Sequence, residues 1–217
     1  MAKMKPTPTP GTKAGYHHGD LKSALQAAAS TLIRQRGVEA VSLREISQAA
    51  GVSHAAAYRH YADKQALLAN LAEAGFDELA QLIRRATAKH AAAPLAQLEA
   101  AGLAYVRFGM RQPHLLQLMF GNAISDWQAH ESLVSSGAAL AQQLADIIAA
   151  GQASGDLRDG NPAELTLTAW SVVHGLALLL VGQRIPGLAV TEVAAKHAGQ
   201  RCIALMMEGL RNPAPMT

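Results

Sequence analysis

The sequence predicts an all-α protein, a small three-helix unit at the N-terminus followed by a larger helical domain. Three observations predict it. Half of the 217 residues are hydrophobic and only 16% are charged, with Ala plentiful and β-branched runs scarce, which favours packed helices over sheet. Apolar residues recur at three- and four-residue spacing along most of the chain. Residues 42–64, SLREISQAAGVSHAAAYRHYADK, read as two short capped helices around a glycine turn, which is helix-turn-helix spacing.

Residues 1–15, rich in Pro, Thr, Lys and Gly, hold too little apolar surface to bury and are expected to form a flexible basic arm. A first helix fits Asp20 to Arg36, with Leu21, Ala24, Leu25, Ala28, Ala29, Leu32 and Ile33 on one face and Gly37 as its C-terminal cap. Ser42 and Glu45 make a capping box for the second helix, flanked by a Val41–Ile46 hydrophobic staple. Gly51 ends it where a left-handed turn residue is wanted. Ser53 caps a third helix of about seven residues, and Asp63 caps a long fourth, 63–88, that connects the unit 16–64 to the domain 65–217. Further helices are expected at Leu95 to Arg111, Leu115 to Phe120 and Ser125 to Ala153. GDLRDGN (155–161) is a turn-rich loop, after which Asn161, Pro162 and Glu164 restart a helix running to Gln183. A last helix, Thr191 to Leu210, follows a Pro186-Gly187 break. No internal repeat and no strand pattern is visible.

Charge is distributed unevenly. Residues 1–64 contain nine Lys or Arg against four acids, a net +5, so with +3 for the whole chain the remainder carries −2. A basic end suits a polyanion partner. The longest apolar run, Gly175 to Gly182, is far short of a bilayer span, and the N-terminus lacks an apolar signal core, so a cytoplasmic location and no membrane partner are expected. No HExxH, phosphate-binding loop or paired-Cys motif is present, and Cys202 with His197 lie five residues apart on a helix, pointing apart, so no enzyme activity is expected. His17 and His18 face apart and lack further ligands, so no metal and no cofactor is expected either.

The third helix is built to read DNA. Its opening residues Ser53, His54, Ala55 and Ala56 are small or polar and can approach base edges, with His54 and the Ala methyls as base readers, the latter against thymine methyl groups. Its end gathers Tyr58, Arg59, His60 and Tyr61, followed by Lys64, donors that suit phosphate oxygens. Tyr61, Ile46, Val52 and Ala57 are expected in the core. The start of the second helix, at Ser42 and Arg44, offers a further anion site through its free N–H groups.

GVSHAAAYRHYADKQALL resembles the DNA-binding signature of TetR-type transcriptional regulators, matching it at Gly51, Val52, Ser53, Tyr58, His60, Tyr61 and Lys64. Tyr61 replaces the more usual Phe, Ala57 stands where many members carry Leu or Pro, and Ser47 where Ala is usual. GYHHGDLKSAL (15–25), AYVRFGMRQPHLLQLMFG (104–121) and WSVVHG (170–175) are similar to the branch whose C-terminal domain is named for Trp, His and Gly. The resemblance implies Tyr58, His60 and Lys64 as phosphate contacts and His54 with its neighbours as base readers. It also implies a homodimer on a double-stranded operator, most often as a repressor, released by a small-molecule effector that tilts the fourth helix.

The rest of the chain suits such apparatus. The helix from Pro162 is apolar nearly all round, more than one core face requires, and the last helix carries Val190, Val193, Ala194, Cys202, Leu205, Met206 and Leu210, so these two are expected to pair with their copies, the alternative being the central core of a monomer. Tyr105, Phe108, Met110, Met119, Phe120, Trp127, Trp170 and His174 gather adaptable and aromatic side chains that fit either a ligand pocket or plain core. The other functional reading is a helix-turn-helix adaptor or nucleoid-associated protein acting mainly through protein partners.

Overall fold

A computed structural model describes residues 18–183 and 191–211. The Pro186-Gly187 break, the basic arm and His17 lie outside the described residues. Among the described residues the chain forms α1 (His18–Arg36), α2 (Leu43–Ala49), α3 (His54–His60), α4 (Lys64–Thr87), α5 (Pro94–Arg111), α6 (Pro113–Phe120), α7 (Glu131–Ala153), α8 (Pro162–Val181) and α9 (Glu192–Leu210). No strand occurs among them, only an isolated bridge between Leu157 and Arg211 that pins the loop before α8 to the end of α9.

The local signals act as their chemistry dictates. Gly37 and Gly51 take φ of +81° and +67°, conformations that cost an L side chain, and so end α1 and α2. Ser42 and Glu45 close a complete capping box. Ser53, Asp63, Asn161 and Thr191 each accept a hydrogen bond from a first-turn N–H. Ser47 is buried, and its hydroxyl donates 2.7 Å back to the Leu43 carbonyl, which is how a polar residue fits a position usually held by Ala.

One helix start differs from expectation by more than two residues. α7 begins at Glu131 rather than Ser125, after a single 3-10 turn at Trp127–Ala129. Asp126 caps that turn, and the Gln65 side chain on α4 holds the preceding segment, accepting from Ser125 N–H (3.1 Å) and donating to the Ala123 carbonyl (3.1 Å). Contacts about 60 residues away in sequence thus peel the segment from the helix.

α1, α2 and α3 pack on one another around Leu25, Ala29, Val41, Ile46 and Ala57, all buried. In the larger part α5 is central, packed against α4, α7, α8 and α9. α7 and α8 are long and apolar enough to cross a membrane by length and composition alone, with mean hydropathy 1.3 and 1.6, which the apolar-run criterion missed. Core helices of a bundle pass the same test, and both pack on α5.

The two parts are joined by α4 and by polar contacts across it. The Tyr61 hydroxyl donates to Asn70 Oδ1 (2.7 Å), which also accepts from Gln26 Nε2 on α1 (3.0 Å). Asn70 Nδ2 donates to Glu73, as does Ser132 at the start of α7, both at 3.0 Å. On the other side, Ser30 of α1 shares a 2.8 Å hydrogen bond with His114 Nε2 of α6.

Candidate nucleic-acid interface and ligand cavity

The period of a seven-residue helix sorts α3 into two faces. Ala56 and Ala57 are buried, while Ser53, His54, Ala55, Tyr58, Arg59 and His60 are exposed. This corrects one expectation: Ala56 packs inward and offers no methyl to a base edge, because residues 56 and 57 lie on the side of α3 that covers α2. Ser53 caps the helix through its hydroxyl, which accepts from Ala56 N–H at 3.2 Å. The His54 and Tyr58 rings lie one turn apart with centroids 5.3 Å from each other, so imidazole and phenol form one outward ridge, and the next residue, Arg59, is exposed as well. Tyr58 is 51% exposed, much open surface for so large an aromatic side chain. Tyr61, by contrast, is buried as expected, with its hydroxyl on Asn70. Burial first and the Glu73 charge second push that hydroxyl up to about 12, so it stays protonated.

The start of α2 is less open to anions than its sequence suggests. Ser42 N–H donates to the Glu45 carboxylate at 2.9 Å, and the Ser42 hydroxyl both donates to that carboxylate and accepts from Glu45 N–H. Those hydrogen bonds, and then the charge of Arg36, hold the Glu45 carboxyl below the usual range. A negative group therefore already sits at this helix start, and Arg44, exposed beside it, is the group left to meet a phosphate there. Lys64 is partly committed as well: its ammonium donates 2.7 Å to the Val38 carbonyl, tying the start of α4 to the α1–α2 turn. Two of its three N–H donors lie beyond that bond.

At the centre of the larger part is a cavity of about 30 Å³. Ile83 of α4 and Leu98, Ala101, Gly102 and Tyr105 of α5 form one side of it. Leu140 and Leu144 of α7, Ala169, Trp170 and Val173 of α8, and Met206 of α9 form the other. Of the eight residues that fitted either a ligand pocket or plain core, Tyr105 and Trp170 line this cavity. Phe120 and His174 sit behind them in an edge-to-face aromatic cluster: Phe120 meets His174 at 4.7 Å and Trp170 at 5.8 Å between centroids. Tyr105 hydroxyl and His174 Nδ1 are hydrogen-bonded at 2.7 Å. Phe108 and Met119 are fully buried, and Trp127 packs edge-on against Phe76. Burial raises the Tyr105 hydroxyl well above the ordinary tyrosine value and lowers His174 below 6.5, so both rest neutral.

Outside the bundle, Leu167, Leu178 and Leu179 of α8 and Val193 and Leu205 of α9 are exposed. The opposite side of α8, with Val173, Leu176, Ala177 and Leu180, fills the core, so α8 is apolar all round because it serves two faces. Among the described residues no group of three or more His, Cys, Asp or Glu side chains is placed to hold a metal ion.

What sequence reasoning missed lies at the junction of the two parts. Gln26, Ser30, Asn70, Glu73 and His114 make the cross-links, with partners 44 to 84 residues apart for the two α1 contacts. The visible hint is polarity inside apolar runs, Asn70 between Leu68 and Leu71 and His114 before Leu115.

The comparisons agree with this geometry. Residues 25–71 match the family model described as "Bacterial regulatory proteins, tetR family", and residues 98–210 match "Tetracyclin repressor-like, C-terminal domain". Among solved structures, a protein of unknown function from Rhodococcus sp. RHA1 is 33% identical, with 92% of this chain and 100% of that one covered and a TM-score of 0.80. A TetR family transcription regulator from Marinobacter aquaeolei VT8 is 18% identical, with 89% and 97% covered and a TM-score of 0.69. The ketosteroid transcriptional regulator KstR2 of Mycobacterium tuberculosis is 18% identical, with 88% and 95% covered and a TM-score of 0.61. The search of curated proteins returned no match. Since one family model spans more than half of the chain and a second falls on the helix-turn-helix, the chain belongs to the TetR family and is a DNA-binding transcription regulator rather than an enzyme.

Proposed function

We propose that the protein is a homodimeric, cytoplasmic repressor that binds a palindromic operator through residues 16–64 and is released when a small molecule enters the domain 65–217. The observation that carries the reading is the α3 ridge: His54, Ala55, Tyr58 and Arg59 project from the fold with none of the described residues packed over them. In this reading His54, Ala55 and Ser53 face base edges, while Tyr58, Arg59, His60, Lys64 and Arg44 face phosphates, and Ser42 holds the start of α2 through Glu45. The exposed leucines of α8 and α9 supply the surface for a second copy, since a two-fold pairing buries the same patch on both partners.

α4 is the mechanical link. Ile83 lines the cavity and Lys64, at the other end of the same helix, is bonded to Val38 beside the helix-turn-helix. Nineteen residues separate them, about 29 Å at 1.5 Å per residue. A tilt of about 5° over that lever displaces its far end by about 2.5 Å, enough to spoil the fit of two recognition helices that must sit one DNA turn apart. The Ser30–His114 and Gln26–Asn70 contacts make the N-terminal unit follow that motion. Effector and operator are then reciprocally linked through one equilibrium.

Selection of bound sequences from a random DNA pool tests the reading. A symmetric consensus is expected, retained at moderate salt. His54→Ala should change the preferred base pair. Retention of no duplex over random competitor would refute the reading, and binding through protein partners alone would favour an adaptor role.

A further inference from the structure

The cavity walls restrict what can enter. Among the described residues that line it none is charged, and only Tyr105 and Trp170 carry a polar side-chain atom. The Tyr105 hydroxyl is already bonded to His174, and its burial keeps it from ionising at neutral pH. A carboxylate or ammonium placed here would lose its hydration and find no countercharge, a cost that such a site does not repay. A neutral, mostly apolar molecule meets the opposite situation, with aliphatic walls and the faces and edges of two aromatic rings.

Size adds a second constraint. At about 30 Å³ the cavity is far smaller than the roughly 150 Å³ apolar cavity that takes up benzene. Any organic guest must therefore displace a wall. Most of the lining is buried, and Leu144, Trp170 and Met206 are the half-buried members that reach outward. Trp170 is braced edge-on by Phe120, and Leu144 is branched. Met206 is unbranched, with several rotatable bonds and a soft sulfur, the side chain best able to swing and repack.

We propose that this cavity is the site of a small uncharged aromatic or alicyclic effector bearing at most one neutral hydrogen-bonding group, and that Met206 of α9 is the wall that yields to admit it. The proposal rests on the effector-released reading above and names the chemical class that reading leaves open. It also gives α9 a second role, since the same helix carries the exposed Val193 and Leu205.

The test uses the full-length protein with four probes of similar shape, 4-methylphenol and indole as neutral molecules, benzoate and benzylammonium as ions. Binding is read by calorimetric titration and by the thermal midpoint. Both neutral probes are expected to bind once per subunit and raise the midpoint, while both ions do neither. Met206→Ala, which shortens this half-buried wall, should tighten binding of the neutral probes several-fold. Ala169→Leu, which fills the void, should abolish it. Circular dichroism reports whether Ala169→Leu folds, and Met206→Ala decides the location if it does not. Benzoate or benzylammonium binding as tightly as 4-methylphenol would overturn the proposed class. Neutral probes that fail to bind, or whose affinity Met206→Ala leaves unchanged, would overturn the site. Operator affinity measured in parallel separates this from the parent reading. Probes that bind without releasing DNA leave the site intact and refute effector control, whereas an ion that releases DNA without displacing indole keeps effector control and refutes the class.

Discussion

Two tyrosines three residues apart should respond oppositely to loss of the same atom. In Tyr61→Phe the ring stays in the core and the hydrogen bond to Asn70 disappears. Asn70 Oδ1 keeps the Gln26 donor at 3.0 Å, so no acceptor is orphaned and the loss should stay near that of one neutral hydrogen bond, about 1 kcal/mol. For a chain of this size that lowers Tm by about 2–4 °C. Operator affinity should be unchanged, since the hydroxyl points into the fold. In Tyr58→Phe the ring keeps its His54 contact and stability stays within about 0.5 kcal/mol of wild type. The lost hydroxyl would have served a charged phosphate, worth about 1.5 kcal/mol, or about tenfold in affinity per subunit. Thermal melts and operator titrations on both variants decide the matter. The assignment of the two faces of α3 is refuted if Tyr61→Phe weakens DNA binding at full stability, or if Tyr58→Phe lowers Tm and leaves binding intact. A spectrophotometric titration adds a check: the component ionising near 12 should vanish in Tyr61→Phe.

Lys64→Ala should do two things, because its ammonium holds the Val38 carbonyl: stability falls by about 1 kcal/mol in urea melts, and the salt slope of operator binding shrinks by about one per subunit. Burial, and for His114 also Arg34, holds His114 and His174 below 6.5. The unfolded chain then binds these protons first, so stability is complete above 6.5 and declines as pH falls below it. His114→Asn should flatten that decline in denaturation midpoints measured across the same window; an unchanged slope would show that His114 contributes none of it. Leu167→Glu with Leu205→Glu alters positions each 67% exposed in the protomer, so the fold should persist while sedimentation reports monomers and operator affinity collapses.

Much of the fold was legible because its signals are local. Capping at Ser42, Ser53, Asp63, Asn161 and Thr191, and positive φ at Gly37 and Gly51, depend on residues within one turn of each other. Tyr58 and Tyr61 are three residues apart, a spacing that would share one helix face, and Tyr61 turns inward because α3 ends at His60 and Tyr61 takes an extended conformation, φ −134° and ψ 119°. Ala56 was misread because an alanine fits a base edge and a helix–helix contact equally well, and only the packing of α3 on α2 decides between them. The start of α7 was misread for a similar reason: its local helical pattern is overruled by Gln65.

Chain order alone determined the helices apart from the start of α7, their caps, and the cationic and aromatic residues of α3, since each rests on neighbours three or four positions away. Only tertiary structure decided which aromatic residues enclose the void and which merely support them, with Tyr105 and Trp170 at the wall and Phe120 and His174 behind. It also decided how the two parts grip each other through Ser30, His114, Gln26 and Asn70. Such pairings join side chains from helices distant in sequence, and their geometry is set by how whole helices cross, which no short-range pattern encodes.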